Sequence, residues 1–455
     1  MNTSHIKYAL VRAFILFLSC ALSSVGVSQN FKSSWNNGNL KQTGDTIKSE
    51  KEGEWIEWYE NGQMWSKGNY KTSVKTGKWL YWYQNGKNWS EIYMESGVCT
   101  SWHDNGKKSK EGKVWDGKKA GKWMEWYASG KEKKEHYYVA DVLNGASTSW
   151  FANSKVEFKG TYKDGELEGN CTWWSVDGKI DMIGPMKKGL QNGRWIFYFA
   201  NGVKGSEGDF VDGKQHGDWT SWYEEGEKIR AGKYELGLRT GRWVVWYENG
   251  AKEHEGEFVN GEESGFWTSW YPCLPPCATG IGPKNDEGYF NEGRIDGNWK
   301  GWYPNGNMKY DNNYKMDIKN GSWTHWHESG KIQYRGNYSD GLQSGIWTSW
   351  YDCPEPCNTE TGNKREDGAY KEGKKDGDWS YFFEDGTKYQ VQSYKQDNQD
   401  GKWTEWYEHG SLSVEGYYAN GVKEGKWTYY QPNGKKAYGL VFKNGAKIKE
   451  IKFKK

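Results

Sequence analysis

Aromatic and polar residues alternate along this chain in short runs that return at a fixed spacing. In Gly53-Glu54-Trp55-Ile56-Glu57-Trp58-Tyr59-Glu60-Asn61-Gly62 a glycine opens the run, aromatic and β-branched residues fill it, and Asn-Gly closes it. That content predicts a strand followed by a tight turn. The leading glycine recurs at Gly77, Gly97, Gly121, Gly145, Gly169, Gly193, Gly217, Gly241, Gly265, Gly297, Gly321, Gly345, Gly377, Gly401 and Gly425, and twelve of the fifteen steps are 24 residues. A period of that length marks a repeat array.

Each unit reads as one β-hairpin. Asn-Gly pairs such as Asn61-Gly62, Asn201-Gly202 and Asn433-Gly434 predict two-residue type I′ turns with positive φ at both centres. A second strand returns through Gly-x-aromatic, as in Gly232-Lys233-Tyr234, and a second turn such as Asp212-Gly213 leads into the next unit. The expected fold is all-β: an elongated single-layer array of about sixteen antiparallel hairpins forming a curved, twisted ribbon. Side chains alternate across a strand, so Trp55, Glu57 and Tyr59 should share one face, and Ile56 and Trp58 the other.

The repeated Gly-x-aromatic, turn, Gly-x-Trp-x-x-Trp-Tyr-x-Asn-Gly resembles the bacterial variant of the membrane occupation and recognition nexus (MORN) repeat, over essentially all of residues 53–445. The resemblance implies a single layer of stacked hairpins serving as a scaffold or docking platform, and some members of that family carry an antitoxin label. A second resemblance is to choline-binding cell-wall repeats, which also combine Gly, Trp and Tyr in hairpins. Their period is nearer twenty residues and their Trp-Tyr pair sits differently against the turn.

Composition fits a repeat array better than a conventional globule. Among 455 residues stand 31 Trp, 32 Tyr and 60 Gly, with a mean hydropathy of −1.04, so aromatics must supply the packing. The first 28 residues differ from the rest: Lys7 and Arg12, an apolar run from Ala13 to Leu22, then Gly26 and Ser28 read as a secretory signal peptide. Its removal leaves 60 basic and 60 acidic residues, interspersed, without the basic stripe that nucleic acid or an anionic membrane needs. The expected organisation is a signal peptide at 1–28, a lead-in or partial repeat at 29–52, the array at 53–445 with inserts at 272–287 and 352–367, and a basic, solvated tail at 446–455.

The two inserts lengthen their steps to 32 residues, lie 80 residues apart, and carry Cys273, Cys277 and Cys353, Cys357. In an exported protein such pairs suggest a disulfide closing each loop; free thiols and a metal site are the alternatives. Cys99 and Cys171 replace the repeat tryptophan and read as small buried hydrophobes. His325 and His327 share a strand face, a spacing that metal sites use, but no third ligand accompanies them, and a substitution within the aromatic ladder is the preferred reading. No phosphate loop, nucleophile elbow or His-Glu-x-x-His motif occurs.

These features describe an exported, non-enzymatic scaffold of the periplasm, outer envelope or extracellular space, with no cofactor and no metal. The expected partner is a protein, with an envelope glycan as the alternative and an antitoxin or immunity role as a third reading. The candidate binding residues are the repeated pairs Trp58-Tyr59, Trp222-Tyr223, Trp246-Tyr247, Trp270-Tyr271 and Trp350-Tyr351, together with the two cysteine loops.

Overall fold

A computed structural model describes residues 27–273, 280–353 and 359–453. The segment read as a signal peptide therefore lies almost wholly outside the described residues. Every regular element among the described residues is a β-strand, 39 of them. The chain divides into two compact units, Met1–Gly165 and Glu166–Lys455.

Within the first unit each strand pairs antiparallel with the next, from Gln29–Ser34 with Leu40–Ile47 to Gly145–Trp150 with Val156–Lys163. The second unit continues in the same manner from Gly169–Trp174 paired with Ile180–Lys187. It ends on Lys436–Lys443 paired with Ala446–Lys452. The lead-in at 29–52 is thus itself a hairpin followed by the start of the next strand. The lysine-rich segment after 445, expected as a solvated tail, forms a largely exposed strand, Ala446–Lys452, paired with Lys436–Lys443. Strands Lys284–Asn291 and Lys364–Lys371 likewise claim the last four residues of each expected insert.

The two turns of the unit are the reverse of the expectation. The type I′ turns stand at the other end of the hairpin, where both central residues have positive φ: Thr72 and Ser73 at +46° and +62°, Asp212 and Gly213 at +48° and +77°. At Asn-Gly only the glycine does, Gly62 at +86°. There the Gly62 N–H donates to Tyr59 O and the Tyr59 N–H to Gln63 O, closing a three-residue loop with a glycine bulge. Asparagine is used for its side chain. Asn61 Oδ1 accepts from the Gln63 N–H at 3.0 Å, while its Nδ2 donates to Gln84 O in the next unit at 3.3 Å.

The Gly-x-Trp glycine builds a bulge. Gly77 has φ +63°, and between Lys67–Leu80 and Asn69–Thr76 the register shifts, so extra residues of the Val74–Trp82 strand oppose Gly68 alone. The Trp79 indole fills that gap over Gly68, where a Cβ would fall inside the ring. Its Nε1 donates to Asn69 O at 3.2 Å. The same bond recurs from Trp55 to Asp45, Trp195 to Pro185, Trp243 to Lys233, Trp347 to Asn337 and Trp427 to Tyr417. Trp79 is fully buried in a single-layer sheet because bulge, glycine and neighbouring rings enclose it.

Edge-to-face contacts then link one tryptophan to the next on this face. Tyr234 lies 6.0 Å from Trp219 and 5.0 Å from Trp243, and Phe258 lies 6.0 Å from Trp243 and 5.2 Å from Trp267. A cation caps many of these rings from above: Lys75 Nζ stands 4.0 Å over Trp79, Lys375 Nζ 3.9 Å over Trp379, and Arg239 4.9 Å over Trp243. The opposite face carries the second tryptophan of Trp-x-x-Trp with ion pairs such as Arg242 to Glu255 at 2.8 Å.

Candidate functional site: the groove beside the tryptophan ladder

The ten residues expected to bind a partner are placed in two framework rows. The tyrosine hydroxyls donate to the backbone of the following unit: Tyr59 to Trp82 O, Tyr223 to Trp246 O, Tyr247 to Trp270 O, Tyr271 to Trp302 O and Tyr351 to Phe382 O, at 2.8–3.2 Å. Burial raises the Tyr59, Tyr223, Tyr247 and Tyr271 phenols, which keeps them protonated as donors. Position 59 is therefore a turn residue bonded to the next unit rather than a strand-face residue alongside Trp55. His327 fills the same position, with Nε2 3.2 Å from Trp350 O, and so does His103 with Trp126 O.

The tryptophans of these pairs are occupied as well. Lys204 lies over Trp222, Lys228 over Trp246, Lys252 over Trp270 and Arg335 over Trp350, at 5.2–5.9 Å. Lys204 and Lys252 simultaneously pair with Glu207 and Glu255, at 2.9 and 2.8 Å. Trp58 is half-buried in the same row.

A different row varies more widely in chemistry. It lies on the ladder face, one position turnward of the buried tryptophan. In the second unit it begins apolar with Trp173, Met182 and Phe197, becomes small and basic at Ser206, Ser221 and Arg230, and continues through Tyr310, His325, Tyr334, Ser349, Glu366 and Tyr381. His325 is stacked between Trp323 and Tyr334, with centroids 5.6 and 4.5 Å away. Its Nε2 lies 3.1 Å from Asn312 Nδ2. Burial, reinforced by Lys319 and Lys309, pushes the imidazole down to about 4.

Next to His325 a cavity of about 450 Å³ opens over Trp347. Its aromatic walls are Tyr334, Tyr338 and Tyr370, and Gln343, Ser349 and Glu366 supply polar groups. Ser349 Oγ is shielded from solvent and has no hydrogen-bond partner. In the unit 80 residues earlier the equivalent Ser269 Oγ bonds Asp286 at 2.6 Å. The sequence reading missed this place because it followed the residues that repeat, whereas Ser349 and Glu366 belong to the row that varies from unit to unit.

The insert bases are built on the neighbouring turn. The Tyr271 N–H donates to Pro283 O and the Tyr351 N–H to Asn363 O, closing longer loops with the bond used by Tyr59 and Gln63. The returning arms lie back on the preceding hairpin through Lys252 N–H to Gly280 O and Ile332 N–H to Glu360 O. Cys273 and Cys353 are disulfide-bonded, and Cys277 and Cys357 lie outside the described residues. Cys99 and Cys171 are buried, as expected for tryptophan replacements.

Hairpins joined in series, with recurring tryptophan, tyrosine and asparagine bonds between neighbours within each compact unit, define a β-hairpin repeat protein. Six of its repeats match the model of the MORN repeat variant family, at residues 51–72, 143–164, 295–316, 319–340, 399–420 and 423–444. No curated protein matches the chain. Among solved structures it is similar to the crystal structure of TcdB2-TccC3-Cdc42, at 10% identity and a TM-score of 0.14 over 91% of this chain and 23% of that one. The crystal structure of TcdB2-TccC3 gives 9%, 0.14, 92% and 27%. The Photorhabdus luminescens Tc holotoxin pore gives 10%, 0.14, 90% and 26%. This chain thus spans about a quarter of each of those chains, and at such a TM-score the likeness carries no argument.

Proposed function

We propose that this protein is an exported, non-enzymatic scaffold that docks a protein partner along the groove beside its tryptophan ladder, flanked by the two cysteine loops. The carrying observation is a division of labour. Where the repeated Trp, Tyr and Asn occur they bond to neighbouring units, as Trp79, Tyr59 and Asn61 do, whereas the adjacent row changes from apolar to serine and arginine to His325, Tyr334 and Glu366. Recognition then rests on the varied row and the framework on the repeated one. Export rests on the N-terminal pattern of residues 1–28.

Peptide-display selection against the mature chain, with a variant carrying Tyr334→Ser and Glu366→Ser as counter-target, tests this reading. Enriched peptides that bind the parent and lose the variant support it; enrichment that is indifferent to both substitutions defeats it. The carbohydrate reading is favoured by one observation: Phe266 and Tyr289, 46% and 54% exposed, form a ring pair 4.9 Å apart on the opposite face, a surface suited to stacking a sugar. A glycan array run with Phe266→Ala separates it from peptide docking.

A further inference from the structure

The ladder face shows what can sit above a buried tryptophan. Four residues before it seven units carry a cation, and in Lys75, Lys319, Lys375 and Lys423 the ammonium lies 3.9–4.4 Å from the ring of Trp79, Trp323, Trp379 or Trp427, while glutamine stands there at Gln191, Gln215, Gln343 and Gln399. Each of these lysines also approaches a neighbouring aromatic: Lys319 stands 5.0 Å from Tyr338 and Lys375 5.4 Å from Tyr394. At Trp347, between the units of Lys319 and Lys375, the same position is Gln343. Its register against Tyr338 matches that of Lys319 against Tyr314 and Lys375 against Tyr370. The aromatic box remains while its cation is replaced by a neutral amide.

A second substitution at the same place introduces negative charge. Glu366 is paired in register with Ser349. The equivalent of Glu366 at Trp219 is Arg230, in register with Ser221, and there too the lysine position is glutamine, Gln215. Where the row supplies its own guanidinium, the space enclosed by Gln215, Trp219, Arg230 and Tyr234 is about 80 Å³. Where it supplies a carboxylate, the space is about 450 Å³, inside the range of pockets that hold ligands. Ser349 Oγ, without a partner, adds an acceptor in the same cavity. Arg365 also lines the cavity but is solvent-exposed.

We propose that the cavity over Trp347 receives a cationic side chain, lysine or arginine, from the docked partner, with its charge over the Trp347 ring and against Glu366. The proposal rests on the docking reading and names what one pocket of that groove takes. A cation on a tryptophan face gains from the ring quadrupole, most when desolvated, and the carboxylate neutralises it. Lys319 and Lys375 lie one unit to either side, roughly 10 Å away by strand spacing, about one screening length at physiological salt. Glu366 offsets their repulsion.

The probes are the blocked peptides acetyl-Gly-Lys-Gly-amide, its arginine counterpart and its norleucine counterpart, titrated into the full chain by NMR of the tryptophan indole signals, with n-butylammonium as the free-amine control. Expected are saturable shifts of the Trp347 signal with lysine and arginine, none with norleucine, loss of roughly tenfold in affinity on Glu366→Gln, and abolition on Gln343→Lys. Because Gln343→Lys copies the neighbouring units, its thermal midpoint should equal or exceed the parent's. Equal shifts from norleucine, or binding that survives Gln343→Lys in a folded protein, overturn the proposal. Binding of n-butylammonium as tight as the lysine peptide overturns it in favour of a small free amine. If displayed peptides dock in the groove without a basic residue that Gln343→Lys displaces, docking stands and this inference falls. If the lysine peptide binds as expected but no displayed peptide depends on the row, docking falls instead.

Discussion

The Trp79 indole lies over Gly68, in the one place along that strand where a side chain is excluded. Glycine, bulge and tryptophan form one device: Gly77 bends the strand, the bend frees the Asn69 carbonyl, and the indole covers Gly68 while donating to that carbonyl.

Gly68→Ala should therefore destabilise the first unit by about 1–3 kcal/mol through overpacking, read as a lower urea midpoint. Beneath a ladder tryptophan the chain carries a larger residue at Asn312 and Gln392; Trp403 opposite Gln392 is only half-buried, while Trp323 opposite Asn312 stays buried. The variant should fold with Trp79 more exposed, seen as red-shifted fluorescence. An unchanged midpoint would show that the contact has slack.

Tyr247→Phe removes one hydroxyl donated to Trp270 O at 2.8 Å. The expected loss is about 1 kcal/mol, with faster hydrogen exchange at the two joined turns and no change in affinity for a groove ligand. A binding defect without a stability defect would return this tyrosine to the recognition surface.

His325 gives the fold a pH response. Its folded value is depressed from 6.5 to about 4 by burial, with Lys319 and Lys309 adding to it. The unfolded form takes up its proton first as pH falls, so the stability of the neutral stack is complete above about 6.5 and is lost progressively toward 4. Exchange of the amides around His325 should accelerate across that window, and His325→Phe should lack the step. A His325 titration midpoint near 6.5 by NMR would contradict it.

Cys99 is buried and its thiol is pushed up by that burial. It should react with iodoacetamide at neutral pH far more slowly than an exposed thiol, and Cys171, fully buried, should behave likewise. Prompt labelling of the native protein, read by intact mass, would place either residue at the surface.

The hairpin period, the strands and the buried fate of Cys99 and Cys171 were legible because they follow from glycine spacing and aromatic alternation, which are local. The turn types were misassigned because Asn-Gly favours type I′ only when asparagine is needed for its backbone. Here its amide bonds to a carbonyl 23 residues onward, Gln84 from Asn61 and Glu328 from Asn305, which no local rule contains. The Trp-Tyr pairs drew attention by their repetition; in the structure the tyrosines bond to the next unit and the tryptophans of four pairs lie beneath a cation. The cavity over Trp347 depends on Gln343, Ser349 and Glu366, three unremarkable polar residues brought together only by strand register.

The loop between Tyr271 and Pro283 holds eight more residues than the one between Tyr59 and Gln63 and closes with the same bond. Trp270 still faces Lys284 as Trp58 faces Met64. Length can thus be added at this edge without shifting any pairing downstream. Each such turn is a graft point at which a lineage, or a designer, can exchange a surface feature while the inherited framework stays in register.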